Sequence, residues 1–208
     1  MREAYHERLG EFRARISELA ELAEIAMVEA TTALLEDDFS RAAKVTGQEG
    51  FITEQHHQLD ADALVLLARE QPVATDLRVV VAGLRMSSDL DRMGTLARHV
   101  AELVERRHPG KLPEFAQPAV LTMGELARRM AAGAREAIAA VDAEAASRLA
   151  RDDAGMDRLR AMLAQQTVRA RPDTATAMDL ALLGRYYERF ADHAVSLARR
   201  VVFITGGA

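Results

Sequence analysis

Cysteine and tryptophan are both missing from this chain. Without cysteine there are no disulfides, no thiolate zinc sites and no cysteine nucleophiles, which fits a reducing compartment. Aromatic residues are 4% of the 208 positions and prolines number five, so little in the sequence interrupts a helix. No segment alternates apolar and polar residues as a half-buried strand would. No run approaches the roughly 18 uninterrupted apolar residues of a membrane span, and the opening Met1 to Glu7 carries no apolar signal core. The net charge of −5 comes from acids and bases interspersed along the chain, which gives no general attraction to nucleic acid or anionic lipid. These absences together predict a soluble, cytoplasmic, all-helical protein.

What is present is an apolar pattern of alternating three- and four-residue spacing, repeated. Leu180, Leu183, Tyr187, Phe190, Ala194, Leu197, Val201 and Ile204 form one such seam near the end of the chain. Ninety-seven positions earlier stand Gly83, Met86, Leu90, Met93, Ala97, Val100, Val104 and Arg107, apolar except at the last. A second correspondence, offset by 104, links Leu19, Leu22, Ala26, Ala30 and Ala33 to Met123, Leu126, Met130, Ala134 and Ala137, and Val45, Ile52 and Leu59 to Leu149, Met156 and Leu163. The offsets differ by seven, a loss of one heptad around the second hairpin of the second unit, which preserves the seam. The seams predict six helices in two tandem antiparallel three-helix bundles related by a pseudo-twofold. The first unit spans 1–107, a proline-rich linker 108–118, and the second unit 119–208. Asp38 or Ser40 is expected to cap the second helix, and Pro72 to end it near Glu70.

Two acidic pairs in the second unit are candidate sites. Glu188 and Asp192 are four residues apart on the last helix, so their carboxylates share one face. With Tyr187 and Phe190 inward, that face is expected to point away from the core. Asp153 and Asp157 form a like pair on the fifth helix beside the core position Met156. Carboxylates so spaced hold a hard cation together, or a softer one if His193 assists. A solvated acidic surface has the same sequence. The matching first-unit residues are Glu49 and Thr53, and Asp91 and Thr95. Each time the first acid is kept and the second is threonine, the pattern of a weakened ion site.

Three Glu-x-x-His pairs, Glu3/His6, Glu54/His57 and Glu105/His108, invite comparison with di-iron bundles. Those sites need ligands facing inward. Ile52 and Leu59 inward place Glu54 and His57 outward, and His108 falls in the linker. No phosphate loop, nucleotide fingerprint or nucleophile elbow is present. No catalytic or cofactor-binding residue is assigned, and the expectation is a non-enzyme. The nine methionines read as core filler.

The stretch Leu183-Gly184-Arg185-Tyr186-Tyr187-Glu188-Arg189-Phe190-Ala191-Asp192-His193-Ala194, with Arg199 to Gly206 after it, resembles the closing helix of the PhoU family, most similar to its actinobacterial PhoY members. Gln71-Pro72-Val73-Ala74-Thr75-Asp76-Leu77-Arg78 is similar to the family's other signature, and Asp91-Arg92-Met93-Gly94 to its first-unit acid motif. The likeness spans essentially the whole chain. It implies the same twin-bundle fold and a cytoplasmic negative regulator of phosphate uptake and of the phosphate-starvation regulon. Such a regulator acts as an adaptor between the phosphate ABC transporter and the sensor histidine kinase of a two-component system, commonly as a homodimer. It binds no nucleic acid and meets the membrane only through partners. The resemblance also implies divalent or iron/zinc-type metal ions at Glu188 and Asp192, with Asp153 and Asp157. Thr95, Leu96 and His99 depart from the family pattern, which weakens a first-unit site at Asp91 and Glu49. The rival functions are a helical transcription regulator, which needs a recognition helix and a clustered basic face, and a carboxylate-bridged metalloenzyme.

Overall fold

The computed structural model describes the backbone of residues 2–206, and the side chains of all of these except 2–4, 147, 150 and 151. Six helices occur among the described residues: α1 (Arg2–Glu36), α2 (Phe39–Glu70), α3 (Ala74–Arg107), α4 (Gln117–Ala140), α5 (Ala143–Ala170) and α6 (Thr174–Ile204). No strand occurs among them. The ends follow from local chemistry. Asp38, Asp142 and Asp173 accept backbone N–H bonds at the starts of α2, α5 and α6. Those N–H groups, Arg41 N for Asp38 and Ala145 N for Asp142, hold the carboxyls below their ordinary range. Gln71 and Arg171 close α2 and α5 in the left-handed region, each followed by proline. The connector is shorter than the 108–118 read from the sequence, because Gln117 and Pro118 already open α4.

α1, α3, α6 and α4 pack in a ring; α2 lies against α1 and α3, and α5 against α4 and α6. The two three-helix units thus meet along α1–α4 and α3–α6, and their buried apolar residues form one continuous cluster. The two-unit repeat is visible in lengths. α5 is four residues shorter than α2 and α6 three shorter than α3. The lost heptad was therefore taken as about one turn from each arm of the hairpin, leaving its turn intact.

Close approach between units is set at Gly124. A Cβ there would lie 2.4 Å from Cγ2 of Thr31 on α1. Thr31 cannot turn away: it is β-branched, its hydroxyl donates to Met27 O at 2.8 Å, and it accepts the Tyr187 hydroxyl at 2.7 Å. Gly124→Ala is expected to force α1 and α4 apart and destabilise the fold by about 1–3 kcal/mol, read as a lowered urea midpoint.

Val141 ends α4 at φ 53°, a left-handed conformation that crowds a β-branched side chain. At the same place in the first unit stands Asp37, at φ 58°, a residue that tolerates it. Val141→Asn is expected to stabilise by about 1 kcal/mol, detected as a higher Tm.

Candidate metal centre

The paired acids lie between α5 and α6. Glu188 does not point into solvent, as its register suggested: its side chain is 14% exposed, turned toward α5. It bonds Arg185 Nη1 at 2.6 Å and pairs with Arg160 Nε of α5 at 3.2 Å. The reason is that α5 covers this flank of α6, so the sector beside the seam is an interface and only the next sector is free. Asp192, one turn on, is 42% exposed and has Arg189 Nη1 at 3.6 Å.

Across the groove, Asp153 feels both α6 acids. Burial first, then the charges of Asp192 and Asp157, push its carboxyl above the ordinary range; Glu188 adds to this and Arg199 opposes it. The four acids of the second unit are therefore one electrostatic group. No three His, Asp or Glu side chains among the described residues are already drawn together tightly enough to hold an ion. Arginines stand where a cation would: Arg160 and Arg185 on Glu188, Arg189 on Asp192. The donor set fits a hard, oxygen-loving cation, which would enter by displacing those guanidiniums.

His193 does not belong to this group. Its Nδ1 lies 3.0 Å from Oδ1 of Asp89 on α3, whose other oxygen accepts the Ser196 hydroxyl at 2.8 Å. It faces the junction between units, because it is one step round the helix from Asp192, on the side packed against α3. Close by, His99 stacks on Tyr186 with centroids 5.2 Å apart.

The first unit shows what replaced its acids. The Thr53 hydroxyl donates to Asp91 Oδ1 at 2.9 Å, across α2 and α3. Thr95 turns its hydroxyl back to the Asp91 carbonyl at 3.2 Å. Glu49 pairs with Arg98 Nε at 3.3 Å, and the second unit has Val195 at the place of Arg98. One hydrogen bond and one ion pair thus satisfy Asp91 and Glu49 within the protein, whereas in the second unit Asp153 is left opposed by its neighbours. The sequence signalled the two threonines; it held no sign of Arg98, which lies on neither acid motif.

The Glu-x-x-His pairs do not converge. Glu54 and His57 are exposed, as their register requires, Glu105 accepts the Thr46 hydroxyl at 2.8 Å, and His108 meets Asp37 at 3.2 Å. Glu3 of the remaining pair lies outside the described side chains.

A doubled three-helix unit with acid pairs on the outer hairpin of its second half defines a class, and its relatives identify it. The PhoU domain matches residues 16–104 and 120–201, and the chain belongs to that family. It is 42% identical over 211 residues to the phosphate-specific transport system accessory protein PhoU homolog 2 of Mycobacterium tuberculosis, covering all of this chain and 99% of that one. The crystal structure of PhoU from Pseudomonas aeruginosa superposes with a TM-score of 0.91 at 25% identity, over 98% of this chain and 100% of the other. That of the phosphate transport system regulatory protein PhoU from Streptococcus pneumoniae gives 0.90 at 23% identity, over 98% of each.

Proposed function

We propose that this chain is a non-enzymatic, cytoplasmic accessory of phosphate-specific transport that represses phosphate uptake and the phosphate-starvation regulon when phosphate is plentiful. The observation that carries the reading is full-length correspondence, in sequence with the mycobacterial accessory protein and in fold with PhoU. In this reading the chain is an adaptor, as a homodimer, between the phosphate ABC transporter and a sensor histidine kinase. It acts by binding one state of its partner better than the other. Carrying a partner from 1% to 99% silent requires a differential affinity of about 5.5 kcal/mol. Helices of 24–35 residues offer long faces for such a contact.

Within the same reading, Asp153, Asp157, Glu188 and Asp192 are the residues that would hold a divalent or iron-type cation. A bound ion would supply fixed positive charge. The chain's own part is to present four carboxylates from two helices and to hold Glu188 in place through Arg160 and Arg185 until an ion displaces them. Asp91 and Glu49 are the weaker candidates, since Thr53 donates to Asp91 and no second acid stands at positions 53 or 95.

The test is a phosphate-regulon reporter in a strain lacking this chain, grown in high phosphate. An active reporter that the wild-type gene silences is the expected result. A reporter that remains silent without the gene, in a strain with no second copy of the family, would remove the repressor reading.

A further inference from the structure

Charges that alternate along the sequence are sorted in space. On α3, Arg78, Arg85, Arg92, His99 and Arg106 recur every seven residues, a spacing that drifts only about 20° per step and so lays them in one row along the helix. The row is about 40 Å long at 1.5 Å per residue. It runs beside α6, as the Arg106–Asp179 pair at 2.7 Å and the His99–Tyr186 stack show.

The far end of the row is neutralised, by Asp179 on Arg106 and Glu102 on His99. The other half is not. Arg85 and Arg92 are exposed and, like Arg200 opposite them on α6, have no acid partner among the described residues. Arg200 keeps a buried Nε without a hydrogen-bond acceptor. Asp89, the acid between them, is already occupied by His193 and Ser196. On a chain of net charge −5, this is a local excess of uncompensated positive charge. Phe203, three residues beyond Arg200 on α6, stands out beside it at 40% exposed, and Leu182, 43% exposed, stands out at the other end of the face, next to Asp179.

A straight double row of helices carrying arginines, with apolar side chains at intervals, is flat and reads no sequence. Cations over an anionic headgroup layer with apolar groups reaching the acyl boundary is the chemistry of a membrane-surface helix face. We propose that the outer α3–α6 face docks directly on an anionic lipid surface, with Arg85, Arg92 and Arg200 over the headgroups and Leu182 and Phe203 set into the interface. This goes beyond membrane contact made through partners alone, and it does not depend on the repressor reading. It orients the chain: the α5–α6 carboxylate groove lies at the edge of the docked face.

Flotation of the purified full chain with phosphatidylcholine vesicles, with and without phosphatidylglycerol, tests the proposal. The chain is expected to float with the phosphatidylglycerol vesicles at low salt, to be released at high salt, and to ignore pure phosphatidylcholine. Each arginine neutralised weakens binding about fivefold, so R85Q/R92Q is expected to bind about 25-fold less well. R128Q/R129Q, exposed on α4 of the opposite side, should bind as wild type. Both pairs are solvent-facing, and matching thermal melts confirm the fold. No flotation with phosphatidylglycerol vesicles overturns the proposal, as does equal loss in the two double variants. Retention on duplex DNA or on an acidic protein in the absence of vesicle binding would also overturn it.

Discussion

Phe190→Ala is expected to cost about 3–5 kcal/mol of unfolding free energy. The ring is completely buried in α6, where its seam neighbours Tyr187, Leu183, Ala194 and Leu197 are also buried. α6 is packed by α3, α4 and α5, so three helices would have to move together to fill the vacated space. The lining cannot collapse easily, and the cost should fall at the upper end of the range. For a chain of this length each kcal/mol lowers Tm by about 2–4 °C, so calorimetry should find a fall of about 6–20 °C. A fall of only a degree or two would show that Phe190 is not at the junction of the units. The change leaves every carboxylate in place, and it separates loss of fold from loss of site.

The second large effect belongs to the carboxylate group. A divalent cation such as Mn²⁺, present at about one hundred times its dissociation constant, is expected to stabilise wild type by about 2.7 kcal/mol, and to leave D153N/D192N unmoved. Without cation the sign reverses. The Asp153 carboxyl is raised in the fold, by burial and then by Asp192 and Asp157. Below the ordinary carboxylate range both folded and unfolded chains hold the proton, and nothing is lost. As pH rises from that range through the raised value, the unfolded chain ionises more readily than the folded one, and stability falls; the penalty is fully present above the raised value. D153N in chelator should therefore be more stable than wild type at pH 7, with the advantage disappearing in acid. Like charges one turn apart set its least size at roughly 0.2–0.5 kcal/mol. Thermal melts across pH, with and without Mn²⁺, check both halves. An apo variant less stable than wild type at neutral pH would mean the acids are held by their arginines and need no ion.

Most of the fold was legible because the seams repeat. Leu180 to Val201 and Gly83 to Val104 fixed two helices and their inward faces, and the structure buries both sets. Pro72 marked the end of α2, and Asp38 its cap. The missing heptad was legible as a number, though not as a trimming of both arms, since register alone does not say which helix lost a turn.

The site was less legible. Spacing put Glu188 and Asp192 on one face and could not say what lies against it. A seam shows which side of a helix is innermost, and a helix packed on three sides has flanking sectors that seams do not describe. Hence Glu188, read as outward, is covered by α5, and His193, read as a helper to the cation, turns to Asp89. The threonines at positions 53 and 95, with Leu96 and His99, showed the first unit's site as altered. The placement of charge was hidden for a related reason: interspersed in sequence, the arginines of α3 fall in one row once wound at 3.6 residues per turn.

We propose that the second unit's acids, and not the first unit's, are the working site. The direct measurement is the phosphate-regulon reporter in the deletion strain, complemented in parallel with two variants at matched protein levels. E49Q/D91N should silence the reporter in high phosphate as wild type does, and D153N/E188Q/D192N should leave it on. Equal silencing by both, or failure of the first-unit variant alone, would contradict the account.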